Sequence, residues 1–342
     1  MKRKILILIM TLLLLTGCNK QENRKSVNIL NWSSYIPDSV LIDFEKETGI
    51  NINYGTYSSN EECLAKVSNA KSGTYDLIFP SDYMVEIMIS RNLLEKIDKN
   101  ELKNINNINL EYMNLEYDPN NDYSLPFIAA STIISVNRDK IKDEINSYND
   151  LLNPKYKNEI VLIDDQRIII GMALLANGFD MNSTNKTELR IARDWLQRLK
   201  RNLKAFDSDS PKNFLISEEA SIAVLWNAEG AIASIENNNI ENIYPKEGIA
   251  ISIDNFVIPK NAKNKDEAYI FIDYILRPDI MKKIINNYPY KNVNIETDKI
   301  LDDTYIKNNA SNIPNEIFNN GMFVKNIGDK IQLYDKIWAE IK

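Results

Sequence analysis

Carboxylates and aromatic rings recur in this 342-residue chain just past apolar, strand-forming runs. Trp32, Ser33, Ser34 and Tyr35 follow the first run, and Ser81, Asp82 and Tyr83 follow the third. Asp164 and Asp165 come after Val161-Leu162-Ile163, Trp226 and Glu229 after Ile222–Leu225, and Asp254 closes Ile249–Ile253. In open α/β sheets, ligands gather beyond the carboxyl ends of the strands. Arg and Lys are nearly absent from these positions, so the set suits an organic cation with separated positive charges. A carboxylate about 4 Å from an ammonium is worth about 4 kcal/mol at an effective dielectric near 20, before desolvation. A ring face adds about 0.5–2 kcal/mol and covers the methylenes between charges.

Several of these residues have a plainer role open to them. Asp82, behind Pro80-Ser81, suits a helix N-terminus, and Asp164 or Asp165 could cap the helix that follows. Trp195 and Trp338 lie on amphipathic helices and read as packing residues. For Trp32 and Trp226, at strand ends, packing and ligand contact are both open.

Composition narrows the chemistry. The chain has no histidine, which excludes Ser-His-Asp and Cys-His catalysis and the usual His-bearing zinc sites. No glycine-rich phosphate loop occurs among its 10 glycines, and no cofactor or metal is expected. With 48 acidic against 41 basic residues the net charge is −7, which disfavours a nucleic-acid partner. A carboxylate-only or magnesium enzyme stays formally open; the expectation is a binding protein, not an enzyme.

Residues 1–17 read as an export signal, with basic Lys2-Arg3-Lys4 ahead of a short apolar stretch. Leu15-Thr16-Gly17-Cys18 resembles the lipobox of bacterial lipoproteins, so Cys18 is the expected lipidation site and residues 18–26 a polar tether. The expected location is periplasmic, membrane-anchored by that lipid. Cys63, the other of the two cysteines, has acidic neighbours and reads as a packed structural thiol.

Behind the tether, strand and helix patterns alternate, which argues for parallel α/β layers. An extended, β-branched stretch at 124–136 interrupts the series, and a second crossing falls near 249–253. The expected architecture is α/β: two lobes joined by hinge strands around a ligand cleft. Lobe 1 comprises residues 27–130 and 252–299, and lobe 2 comprises 131–251 and 300–342. Such a molecule closes on its ligand.

The motifs Asn31–Pro37, Phe44–Ile50, Tyr75–Ser81 and Asp118–Pro126 resemble the spermidine/putrescine-binding proteins of bacterial polyamine ABC transporters. Tyr244–Gly248, Ile258–Lys265 and Leu276–Asp279 continue the likeness in order along nearly the whole chain. The resemblance implies a two-lobed periplasmic binding protein of type II, a polyamine ligand (putrescine or spermidine), an ABC permease as partner, no catalysis and a monomeric state. It also implies site residues. Trp32 and Tyr35 match the first-strand motif, Ser81 and Tyr83 a Ser-x-Tyr segment, and Asp165 an amine-binding aspartate. Trp226 matches a stacking tryptophan, Asp254 the central aspartate, and Tyr288 a further aromatic wall. Ser34, Ile168, Ser252 and Val324 depart from the spermidine-type pattern, losing an acid at the first two. Glu229 coincides with an acid of putrescine-type members. The implied lean is towards putrescine; another organic cation, or a surface lipoprotein without transport, are the alternatives.

Overall fold

The computed structural model describes residues 25–208 and 210–342. The expected export signal, Cys18 and the tether as far as residue 24 lie outside the described residues. Ser26 already belongs to strand β1 (Ser26–Trp32), and Lys25 pairs with Glu267 at 3.1 Å, so the expected tether runs two residues too far. β1 lies parallel to β2 (Asn51–Tyr57) and to the short β3 (Leu77–Ile78). Helix α1 (Asp38–Thr48) ends at Gly49, whose φ of 70° lets its N–H reach the carbonyl of Glu45. Helix α2 (Asn60–Asn69) starts where the Ser59 hydroxyl accepts the Glu62 N–H. Helix α3 (Asp82–Ser90) follows β3 directly.

The extended stretch forms one 13-residue strand, β4 (Leu125–Asn137), buried along its whole length. Beyond it come β5 (Ile160–Leu162), α4 (Gln166–Ala176), α5 (Lys186–Leu199), β6 (Leu203–Phe206) and α6 (Lys212–Ile216). Next are β7 (Ile222–Trp226), α7 (Asn227–Glu236), β8 (Ile240–Ile243) and β9 (Ala250–Phe256). The chain ends with α8 (Lys265–Ile275), α9 (Pro278–Asn287), β10 (Met322–Phe323) and α10 (Ile331–Ile341), with short helical turns between.

Two lobes result, and β4 serves both. Its first half, Leu125–Ser131, pairs with β9, and its second half, Thr132–Asn137, pairs with β7 and β8. All three pairings are antiparallel, which corrects the expectation of purely parallel layers. β1 with β2 and β3, β5 with β6 and β7, and β9 with β10 are parallel. Local alternation reports element type; strand direction follows from where the chain returns, and β4 and β9 run side by side in opposite senses.

Burial of apolar faces sets the layers. In one lobe Phe44 of α1 meets Phe271 and Tyr274 of α8 edge-on, with ring centroids 5.0 and 5.2 Å apart. In the other, Trp195 of α5 is buried with its Nε1–H on Asn149 Oδ1 at 2.8 Å, and Trp338 stacks edge-on against Phe206. Both are packing residues. Cys63 is fully buried, and burial pushes its thiol up to about 12. At Gly230 a Cβ would stand 2.5 Å from Ile133 and 2.7 Å from Asn242 Oδ1, so only glycine lets α7 lie this close to β4. Among the described residues no helix is long and apolar enough to cross a membrane.

Candidate functional site

A cavity of about 80 Å³ lies between the lobes, several times the space one ordered water needs. Strand ends from both sides reach it. Asp254, in the middle of β9, is 3% exposed. Tyr35 donates its hydroxyl to Asp254 Oδ2 at 2.5 Å, and Ser81 donates to Oδ1 at 2.6 Å. Ser81 is held in turn by Asn60, which donates to its hydroxyl and accepts its N–H, each at 3.1 Å. Burial pushes the Asp254 carboxyl up to about 6, against the pull of the two hydroxyls. Two of about four acceptor positions on an ionised carboxylate are thereby used, and the others stay available. Among the described residues no Lys or Arg pairs with it.

Trp32, at the end of β1, donates Nε1–H to the carbonyl of Phe79 at 2.9 Å, and its ring centroid is 4.6 Å from that of Tyr57. The indole is therefore fixed by both a hydrogen bond and a ring contact, with part of it lining the cavity. Tyr83, on the first turn of α3, lines the same space and donates to Glu61 at 3.1 Å.

The opposite wall carries Asp165, Trp226 and Glu229. Asp165 both caps α4, accepting the Ile168 N–H on Oδ1 at 3.0 Å, and lines the cavity. Burial, with Glu61 nearby, pushes it up to about 6. Trp226 ends β7, and Glu229 stands on the first turn of α7. Glu229 is not open: Lys212 Nζ lies 2.9 and 3.0 Å from its two oxygens. Asp164 also lines the cavity but pairs with Lys342 at 2.6 Å.

Asp82 faces away from the cavity. It is buried, accepts the N–H groups of Tyr83 and Ile253 at 2.6 and 2.8 Å, and ties α3 to β9. Burial, with Asp254 adding to it, pushes this carboxyl up to about 8. The plainer helix-terminus role is the one it fills. Tyr288 is half-buried and stands beside Ser34 outside the cavity lining; the ring from this segment that lines the cavity is Tyr290, 5.0 Å from Tyr35. The cause is a tight turn at Pro289, where Tyr290 N–H meets Tyr288 O at 2.7 Å, so the two rings face different ways. Ser34, Ile168, Ser252 and Val324 all line the cavity.

Two cations modify the near-absence of Arg and Lys read from the strand ends. Arg167 lines the cavity but is 5% exposed, lies 5.9 and 5.0 Å from the rings of Tyr83 and Tyr334, and donates to Asn182 and to the carbonyl of Lys325, each at 3.0 Å. Its place two residues after Asp165 was a readable signal; nothing local marks Lys212 as the partner of Glu229. The arrangement leaves two carboxylates without an ion pair among the described residues, one from each wall, between indole and phenol rings. Such a site can hold an organic cation. No group of three or more His, Cys, Asp or Glu among the described residues is arranged for a metal ion.

The sequence profile of the family described as bacterial extracellular solute-binding protein matches residues 40–311. The chain is 38% identical over 314 residues to the spermidine/putrescine-binding periplasmic protein of Salmonella typhimurium, covering 91% of this chain and 90% of that one. It is 35% identical over 323 residues to the Escherichia coli protein of the same name, covering 94% and 92%. Its fold is similar to that of the substrate-binding protein of a Streptococcus pneumoniae spermidine/putrescine ABC transporter, with TM-score 0.80 and 29% identity over 93% of this chain and 98% of that one.

Proposed function

This chain belongs to the bacterial extracellular solute-binding proteins, and from that premise we propose that it captures putrescine or spermidine between its lobes and hands the amine to an ABC permease. One observation carries the reading: a buried, uncompensated carboxylate, Asp254, is held ready by the hydroxyls of Tyr35 and Ser81 beside the ring of Trp32. Neutral donors orient the charge without cancelling it, so an ammonium is the partner that restores what burial removed. Asp165 and Trp226 then meet the far part of the ligand as the lobes close. The ligand favours closure by its differential affinity for the two states, and the permease reads that closure. No bond in the ligand changes. The boundaries at 130/131, 251/252 and 299/300 are the lobe limits of this reading, with the protein acting as a monomer.

Titration of intrinsic tryptophan fluorescence tests it, since Trp32 and Trp226 both line the cavity. Putrescine or spermidine should give a saturable change at one site per chain, with the amine recovered intact by mass spectrometry. A response to thiamine or another cation with none to either polyamine overturns the ligand assignment. That second outcome is the one the departures at Ser34, Ile168 and Ser252 would favour. Tethering through Cys18 keeps the protein beside its permease; two or more acyl chains give stable anchoring where a single chain gives only marginal binding. Mass spectrometry of the mature N-terminus should find a diacylated cysteine, and an unmodified Cys18 removes the anchor from the proposal.

A further inference from the structure

Of the four carboxylates lining the cavity, two already hold a cation of the protein's own. Asp164 pairs with Lys342 near the surface. Glu229 is gripped through both oxygens by Lys212, with side chains only 13% and 18% exposed. Asp165 and Asp254 have no ion pair among the described residues. The Arg167 charge pulls on the Asp165 carboxyl without forming an ion pair with it, and its hydrogen bonds go to Asn182 and the carbonyl of Lys325.

Resting on the polyamine reading above, we propose that Lys212 is a specificity-determining residue: its ammonium occupies the seat at Glu229 that a further ligand ammonium would take, and so sets the cleft for a diamine over a triamine. The pair is built into the fold. Lys212 opens α6, whose Leu215 is fully buried, and Glu229 lies on the first turn of α7. A third ammonium that approached Glu229 would meet a like charge, or would have to break the two-oxygen contact and strand Lys212 with little water around it. A diamine asks for neither, because its two charges match the two carboxylates left unpaired. The missing acids at Ser34 and Ile168 point the same way, since neither cavity-lining side chain offers a third negative charge.

Calorimetric titration of the wild-type protein, Lys212→Met and the double variant Lys212→Met/Glu229→Gln with putrescine and spermidine decides it. Wild type should prefer putrescine. Lys212→Met, which keeps the apolar stem, should move the ratio of the two dissociation constants at least tenfold towards spermidine. The double variant should lose that shift, because the vacated seat no longer carries a charge. Lys212→Arg keeps the cation and should keep the putrescine preference, which guards against a fold defect in the methionine variant. A wild-type preference for spermidine, an unchanged ratio in Lys212→Met, or a shift that survives Glu229→Gln overturns the inference alone. Binding of neither amine by the wild type overturns the polyamine reading, and this inference with it.

Discussion

Asp254→Asn should raise the dissociation constant for putrescine at least about thirtyfold. Removing one member of a buried, hydrogen-bonded charge pair costs about 2–5 kcal/mol, and 1.4 kcal/mol is a factor of ten. Asn is nearly isosteric, and Asp254 is held in the ligand-free cleft by two hydroxyls, one on each oxygen; one can go on donating to the amide oxygen, and the other can turn to accept from the amide NH2. The substitution therefore removes the charge while leaving the cavity in place. Calorimetry supplies the constant, and circular dichroism shows that the fold persists. A dissociation constant within threefold of wild type would take Asp254 out of the site. Tyr35→Phe should give a smaller loss, because it deletes one orienting donor and leaves the charge.

Acidification should weaken binding by about a hundredfold between pH 7.5 and pH 5. Asp165 and Asp254 both sit at about 6 in the ligand-free cleft, raised by burial. An alkyl ammonium stays charged to about pH 10, so only the protein titrates over this range. The bound cation favours the ionised carboxylates and lowers their pKa values, so binding below about pH 6 must expel protons that the free protein carries. Each carboxylate then contributes up to a tenfold loss per pH unit, while affinity is level above about pH 7. Asp254→Asn should halve the slope. Titrations in buffers of different ionisation enthalpy count the released protons, and a flat profile down to pH 5 would contradict the charged-carboxylate site. Stability of the ligand-free protein runs the other way. A carboxyl with a higher pKa folded than unfolded stabilises the fold fully below its unfolded value, near 4, and that contribution is lost as pH rises through about 6. The empty cleft is thus a cost at neutral pH that the ligand offsets.

Much of the candidate site is legible in the sequence. Trp32, Asp165 and Trp226 stand at or just past a strand end, which is a local property of the chain; Asp254 follows an apolar run but lies inside β9, which continues to Phe256 because β4 pairs with it there. The long β4 is legible from its β-branched residues, among them Ile128, Thr132, Ile133, Ile134 and Val136, which favour an extended backbone. The two-residue strand β10 carries too little pattern to be read and exists only because β9 pairs with it, whereas β3 lies inside the apolar run 75–79 that marks a strand.

The residues by themselves determined the chemistry on offer: acids and rings at strand ends, no imidazole, and two α/β series that must face each other. Only the tertiary structure decided which acids remain free. Asp82 gave one oxygen to the Ile253 N–H of β9 and the other to the Tyr83 N–H of its own helix, and Glu229 took Lys212 from a helix seventeen positions back, whereas Asp165 and Asp254 formed no ion pair among the described residues. Ion pairs and hydrogen bonds act over about 3–4 Å, and distance along a chain says little about distance in space until the fold has brought its segments together.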